Sequence, residues 1–283
     1  MEFAQGKTIQ IYLPDGNPRS IKIAEITSRT IQAIQIPRSK LATAFSREEL
    51  KNVGIYFLIG NPDDEIKQKI YIGEAEDCSV RLKQQNKSKD FWNTAIIVIS
   101  KTGFFTKTHI KFLEWHCYQE ALSVGRYKID NSSVPTCPHI SEPNKVDLYD
   151  NFLSIKIILS TLGYPIFDPI QKPDKKDVLI CRGVGVYAEG EFSEEGFIVF
   201  SGSQAKKKET NTIGKWISNI RKKLISENIL EYDEENGIYL FTQDYIFDSP
   251  SGAAGTVLGR SANGWTSWKY NDGKTLSDVN RLS

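Results

Sequence analysis

At 283 residues, with 40% apolar and 25% charged side chains, the chain has ordinary globular usage and room for about two domains of ~150 residues each. Its 36 basic and 35 acidic residues leave a net charge of +1, so bulk charge cannot carry nucleic-acid binding. The longest apolar runs, such as Ala95-Ile96-Ile97-Val98-Ile99, fall far short of the ~20 residues of a membrane span, and collagen, coiled coil and wholesale disorder are excluded as well.

In chain order, residues 8–13 alternate apolar and polar, the pattern of a half-buried strand. Pro14-Asp15-Gly16-Asn17-Pro18 is a strong turn, and Ile21, Ile23 and Ile26 mark a returning strand. Ile31, Ile34 and Ile36 follow, and residues 38–50 are predicted as a helix. Residues 1–50 thus read as a β-rich lobe with no chemistry of its own.

Residues 53–59 form an apolar, aromatic strand broken by Gly60-Asn61-Pro62-Asp63-Asp64, and Ile70-Tyr71-Ile72-Gly73 is its antiparallel partner. Glu76-Asp77 opens a helix through Gln85, with acidic residues at its positive end. Residues 91–100 are a third strand. Thr108 is expected to cap a helix to about Leu122 that ends before Gly125, with Ile110, Leu113, Cys117 and Ala121 on its core face. Residues 147–162 form another amphipathic helix. The three prolines within 165–177 place a linker at residues 166–177.

Beyond the linker, residues 178–180, 184–188, 197–200 and 237–241 read as strands and 213–228 as a helix. Ser249-Pro250 caps a short helix through Leu258, and residues 264–270 read as an aromatic strand. Lys206-Lys207-Lys208 is a solvated loop. With no basic-then-apolar export pattern after Met1-Glu2-Phe3, the four cysteines are expected to be reduced thiols of a cytoplasmic protein. Cys117, Cys137, His116 and His139 contain no CxxC-like pair, so zinc is not expected. The fold class is therefore α+β: a β-rich lobe at 1–50, a small antiparallel sheet flanked by helices at 51–165, and a small α+β domain at 178–283.

The chemistry-bearing residues cluster in the middle segment. Gly54-Ile55-Tyr56 and Tyr71-Ile72-Gly73 lie on the two strands of one hairpin, Arg81 on the next helix and Glu114 on the one after. Two-residue periodicity puts Tyr56 with Gly54, and Tyr71 with Gly73, on one face of each strand. The phenols can therefore converge, and the glycines leave room for close approach. Arg81 can donate to two phosphate oxygens at once, and Glu114 offers a hard oxygen suited to one Mg²⁺ that keeps most of its waters.

These triplets, with an Arg and a helical Glu in this order, resemble the GIY-YIG nuclease family over about residues 51–135. The resemblance implies a Mg²⁺- or Mn²⁺-dependent DNA endonuclease of restriction, phage defence or repair. Glu114 would hold the metal and Arg81 would stabilise the pentavalent transition state. Tyr56 would activate water, with help from Tyr71 or the metal, and Tyr71 would orient the water or the scissile phosphate. A free phenol, with a pKa near 10, is a poor base. Asn131 is the nearest match to the family's Asn. Restriction-type members use a His near the site, which makes His109 a candidate phosphate contact, although it lies about 140° around the helix from Glu114. Lys83 and Lys111 are candidate nucleic-acid contacts.

Residues 249–279, including Gly259-Arg260-Ser261-Ala262-Asn263-Gly264-Trp265 and Trp268, resemble a short domain of unknown function found behind nucleases and restriction-modification proteins. That domain is similar to a module suggested to read DNA, with Arg260 on a phosphate and Trp265 stacked on a base. Trp265 and Trp268, three apart on a strand, would point to opposite faces, so at most one is exposed. With so little net charge, targeting would come from the flanking parts, a homodimer or a protein partner. Two alternatives stay open: a catalytically weak or inactive adaptor that binds DNA or protein, and a nuclease acting on RNA or branched DNA.

Overall fold

The computed structural model describes residues 6–61, 67–169, 178–193 and 195–280. The chain divides into two compact units, Met1–Pro169 and Ile170–Ser283, both α+β. No helix among the described residues is long and apolar enough to cross a membrane. All four cysteines are free, with Cys78, Cys117 and Cys181 buried.

The first unit is one seven-stranded sheet. Its strands are β1 (Ile9–Tyr12), β2 (Lys22–Ile26), β3 (Ile31–Pro37), β4 (Gly54–Gly60), β5 (Lys69–Ala75), β6 (Thr94–Ser100) and β7 (Lys128–Ile129), in the order β1-β2-β3-β6-β4-β5-β7. Its helices are α1 (Leu41–Ala44), α2 (Cys78–Ser88), α3 (Lys107–Val124) and α4 (Glu142–Thr161). The β1–β2 and β4–β5 hairpins form as the sequence predicts.

Residues 1–50 are not a separate lobe. β3 pairs along its whole length with β6, from Ile31↔Ser100 to Pro37↔Thr94. β6 is apolar on both faces and has to be central, which gives it a neighbour on each side, β3 and β4. The expected helix at 38–50 is instead α1 between two 3-10 turns. Ser46 Oγ donates to the Thr43 carbonyl at 2.8 Å, taking an acceptor that a continuing helix would need.

The sheet is covered on both faces. Ile55, Phe57, Ile70, Ile72, Ile96 and Val98 pack under α3 and α4. On the other face, Tyr56, Leu58, Ala75, Ile97 and Ile99 pack with Cys78 and Leu82 of α2. α2 is capped by Asp77, whose carboxylate accepts from the Val80 N–H at 3.0 Å. α3 begins two residues earlier than the sequence predicts, because Thr106, not Thr108, is the cap and forms a reciprocal pair with His109. Of the expected linker, Ile166 and Phe167 belong to the core of the first unit, and residues 170–177 lie outside the described residues.

The second unit has the strands β8 (Leu179–Gly183), β9 (Val186–Ser193), β10 (Gly196–Val199), β11 (Gln204–Lys206), β12 (Leu230–Asp233), β13 (Ile238–Phe241), β14 (Tyr245–Phe247) and β15 (Trp268–Lys269). They form antiparallel sheets ordered β14-β10-β9-β8-β15 and β11-β13-β12. Its helices are α5 (Lys215–Ser226), α6 (Pro250–Leu258), α7 (Gly264–Ser267) and α8 (Leu276–Asn280). The predicted strand at 264–270 is α7 followed by two strand residues. The Asn263 side chain accepts from the Trp265 N–H at 3.0 Å and starts a helical turn there.

Arg221 of α5 ties this unit together. It is 1% exposed, pairs with Glu209 at 3.0 Å, and donates to the carbonyls of Thr256 and Lys206. Removing a buried charge's partner leaves the rest of its network unsatisfied. Arg221→Leu is therefore expected to destabilise the second unit by roughly 3 kcal/mol. Denaturant unfolding of wild type and variant checks this, and equal midpoints would show that the buried guanidinium is dispensable.

Candidate active site

The β4–β5 register sets Tyr56 opposite Gly73 and Leu58 opposite Tyr71. Tyr56 and Tyr71 thus share the α2 face, diagonal to each other, with ring centroids 5.9 Å apart and planes tilted by 30°. Gly73 is required here: a Cβ at that position would lie 2.4 Å from the Tyr56 oxygen. Gly54 is equally constrained, since its Cβ would come within 2.6 Å of the Val98 carbonyl.

Arg81 and Gln85, one turn apart on α2, both reach Tyr56. Arg81 Nε donates to the phenol oxygen at 3.3 Å and Gln85 Nε2 at 3.0 Å. Tyr56 itself is 2% exposed. Burial, reinforced by Tyr71, raises its hydroxyl well above an ordinary phenol. At neutral pH such a phenol is ionised more rarely than a free one, which raises the cost of the water-activating role expected for Tyr56. Tyr71 is half-buried, with the Lys89 ammonium 4.4 Å from its ring centroid. Lys89 is in turn paired with Asp130 at 2.7 Å.

Glu114 comes from α3, on the opposite layer, and reaches the same place around the rim of the sheet. In β5 the backbone groups of residues 70, 72 and 74 point outward, as strand alternation requires. The Ile70 carbonyl accepts from the Asp130 N–H at 2.8 Å. The Asn131 amide then takes both groups of Ile72: Oδ1 accepts from its N–H at 3.0 Å and Nδ2 donates to its carbonyl at 2.7 Å. The Glu74 N–H lies within electrostatic reach of the Glu114 carboxylate and favours its charged form. Asn131, expected beside the chemistry, is thus a side chain that extends the sheet.

Burial and the neighbouring Glu74 carboxylate push Glu114 up to about 7, against the pull of Arg81, the Glu74 N–H and Lys111. For Arg81, burial works to lower the guanidinium, but the hydrogen bond to Tyr56 and the nearby Tyr71 and Glu74 raise it above its usual value. Tyr56, Tyr71, Glu74, Arg81 and Glu114 therefore form one electrostatic group. Among the described residues no three His, Cys, Asp or Glu side chains gather as a metal cage. One or two carboxylates fit Mg²⁺, which binds through few protein oxygens and keeps its waters, and a divalent cation would relieve the repulsion between Glu74 and Glu114.

The remaining predicted residues, Lys111 apart, lie elsewhere. His109 belongs to the cap of α3: its ring stacks on Phe104 with centroids 4.9 Å apart and its Nδ1 meets the Phe104 carbonyl at 3.1 Å. The Lys83 ammonium sits 4.9 Å from the Phe45 ring centroid. Lys111 is exposed within electrostatic reach of Glu114. In the second unit Arg260 is exposed. Trp268 is fully buried, its indole donating to the Pro250 carbonyl at 3.1 Å, and Trp265 is half-buried, edge-on to Phe192. The exposed indole is Trp216 of α5, at 51%. Sequence reasoning missed Gln85, Glu74 and Trp216. Gln85 alone carried a signal, its four-residue spacing from Arg81.

Residues 179–280 match the family described as Domain of unknown function (DUF4357). No curated protein and no solved structure matches the chain.

The Glu114 shift has a stability consequence. A carboxyl raised from 4.5 to about 7 on folding binds its proton more tightly in the native state, so its stabilising contribution is full below 4.5 and lost as pH rises through 7. Wild type is expected to lose stability relative to Glu114→Gln between those values and to run parallel above them. Urea midpoints across pH 4–9 measure this; a difference that does not change with pH would contradict the buried environment.

Proposed function

We propose that residues 51–135 form a metal-dependent phosphodiesterase of the GIY-YIG type that hydrolyses DNA within restriction, phage defence or repair. The observation that carries this reading is the convergence of Tyr56, Tyr71, Arg81 and Glu114 around the outer rim of β5. Hydrolysis of a phosphodiester needs developing charge to be neutralised and a water to be positioned. Arg81 offers its guanidinium to the phosphoryl oxygens, and Tyr71, the half-exposed phenol, orients the water or the phosphate. Glu114, with Glu74 beside it, would hold Mg²⁺ or Mn²⁺, which when bound supplies Lewis-acid stabilisation of the phosphoryl charge. The exposed Lys111 would meet the nucleic-acid backbone. In the second unit the exposed Arg260 and Trp216 are the contacts proposed for substrate choice, and a homodimer or protein partner would add the grip that the near-neutral chain lacks.

Nicking of supercoiled plasmid with Mg²⁺ or Mn²⁺ tests the reading. Glu114→Gln, Arg81→Ala and Tyr56→Phe are each expected to lower the rate by ~10²-fold or more while urea midpoints show each variant folded. EDTA is expected to abolish nicking. If wild type cuts no duplex, single-stranded or forked DNA and no RNA with either metal, the nuclease reading is lost and a binding adaptor takes its place. Equal rates for wild type and Glu114→Gln would remove the carboxylate from the mechanism.

A further inference from the structure

The first unit carries a pocket outside the Tyr56 site, lined by β1, β2, β3 and the turn after α1. It opens on the same face of the sheet as Tyr56, because Tyr12, Ile23, Ile34, Ile97 and Tyr56 form one register row across five strands. Four strand spacings put Tyr12 about 19 Å from Tyr56. The pocket has a volume of about 280 Å³. Sites for drug-sized ligands start near ~300 Å³, so this one has room for a single ring system.

Its lining is polar. Gln10, Glu25 and Gln32 are direct neighbours across β1, β2 and β3, and Tyr12, 56% exposed, flanks them. Arg47 supplies the observation that points to a ligand. Its Nη2 pairs with Glu49 at 2.7 Å, while its Nε is buried with no hydrogen-bond partner among the described residues. A buried donor of a charged group is costly without an acceptor, and the ion pair with Glu49 does not use it. In the same pocket Glu25 Oε2 accepts from Lys101 at 3.0 Å and from Gln32 at 3.3 Å. Glu25 Oε1 and the Gln32 carbonyl stay available for further donors.

Charge narrows the ligand. One guanidinium stands against two carboxylates, Glu25 and Glu49, so an anion is repelled. A simple cation leaves the Arg47 donor unanswered. A neutral ring with acceptors on one edge and N–H donors on the next answers both. Guanine has this pattern: O6 and N7 accept from the arginine fork, and N1–H and the N2 amino group donate to two oxygens. Adenine turns an amino donor toward the guanidinium. Cytosine offers one donor nitrogen where guanine offers two, and fills less of the space.

We propose that this pocket is a guanine-binding site, with Arg47 on the acceptor edge of the base, Glu25 and Gln32 on its donor edge, and the Tyr12 ring against its face. On the nuclease reading the guanine would be a base extruded from the strand being cut. The pocket itself does not rest on that reading, and binding tests it without any cleavage.

Saturation-transfer NMR with the full-length protein compares guanosine, adenosine, cytidine and uridine. Guanosine is expected to bind about tenfold or more tightly than the others. Tyr12→Ala, at an exposed position, is expected to weaken guanosine binding about tenfold with its urea midpoint unchanged. Arg47→Lys keeps the charge, loses the fork and should weaken it as much. The proposal is overturned if no nucleoside receives magnetisation, if guanosine is not preferred, or if Tyr12→Ala binds guanosine as wild type does.

A thymine 12-mer with one central guanine identifies the source of the base. Tighter binding of this strand than of guanosine makes the ligand a base within a nucleic acid, and equal binding makes it a free nucleoside; either result upholds the pocket. If guanosine binds and the protein nicks nothing, the nuclease reading falls and the guanine site stands.

Discussion

The outer edge of β5 is the constraint on which the site depends. An edge strand presents backbone donors and acceptors that must find partners. Here two successive outward positions are satisfied by two different means, the backbone following a short parallel strand at Ile70 and a side-chain amide at Ile72, and the next, at Glu74, lies within electrostatic reach of the Glu114 carboxylate. Glu114, from the α3 layer, stands near Glu74 at the rim of the sheet. Arg81, standing on the α2 layer, lies within electrostatic reach of it. Without that unfinished edge the two layers would be separated by a sheet packed on both faces.

The electrostatics follow from the same placement. Glu114 is half-buried next to another carboxylate, and Tyr56 is wholly enclosed, so the fold holds both groups in surroundings that disfavour their charge. Such arrangements concentrate where chemistry is done. The aromatic pair, the guanidinium and the amide all converge on the one phenol, and the missing Cβ at Gly73 makes the space for its ring. Rigidity comes from behind, where β4 is buried along all seven of its residues.

Much of this was legible in the sequence because local signals carried it. Alternation and turn residues predicted both hairpins, and Asp77 and Ser249 announced their helices. The two triplets with Arg81 and Glu114 marked the candidate site from the sequence alone. Pairing between β3 and β6 had no such signal, since strands sixty or so residues apart can find each other only in three dimensions; the N-terminal strands therefore looked like a lobe. Gln85 and Glu74 were not singled out, because a single polar residue carries no sign of its burial. His109 was singled out for its chemical type, and its actual work, closing the first turn of α3, was written in the Thr106-to-His109 spacing. Asn263, a good cap residue ahead of Trp265, was the overlooked clue to α7.

The amide of Asn131 has a lifetime that a true strand lacks. It is followed by Ser132, and slow loss of ammonia would turn it into an aspartate with two acceptors and no donor. The Ile72 carbonyl would then face a like-polarity oxygen, and the loop at Asn131 would lose its hold on the outer edge of β5. Chemical ageing at one solvent-accessible loop residue would thus blunt the site from beneath, in a protein whose core remained intact.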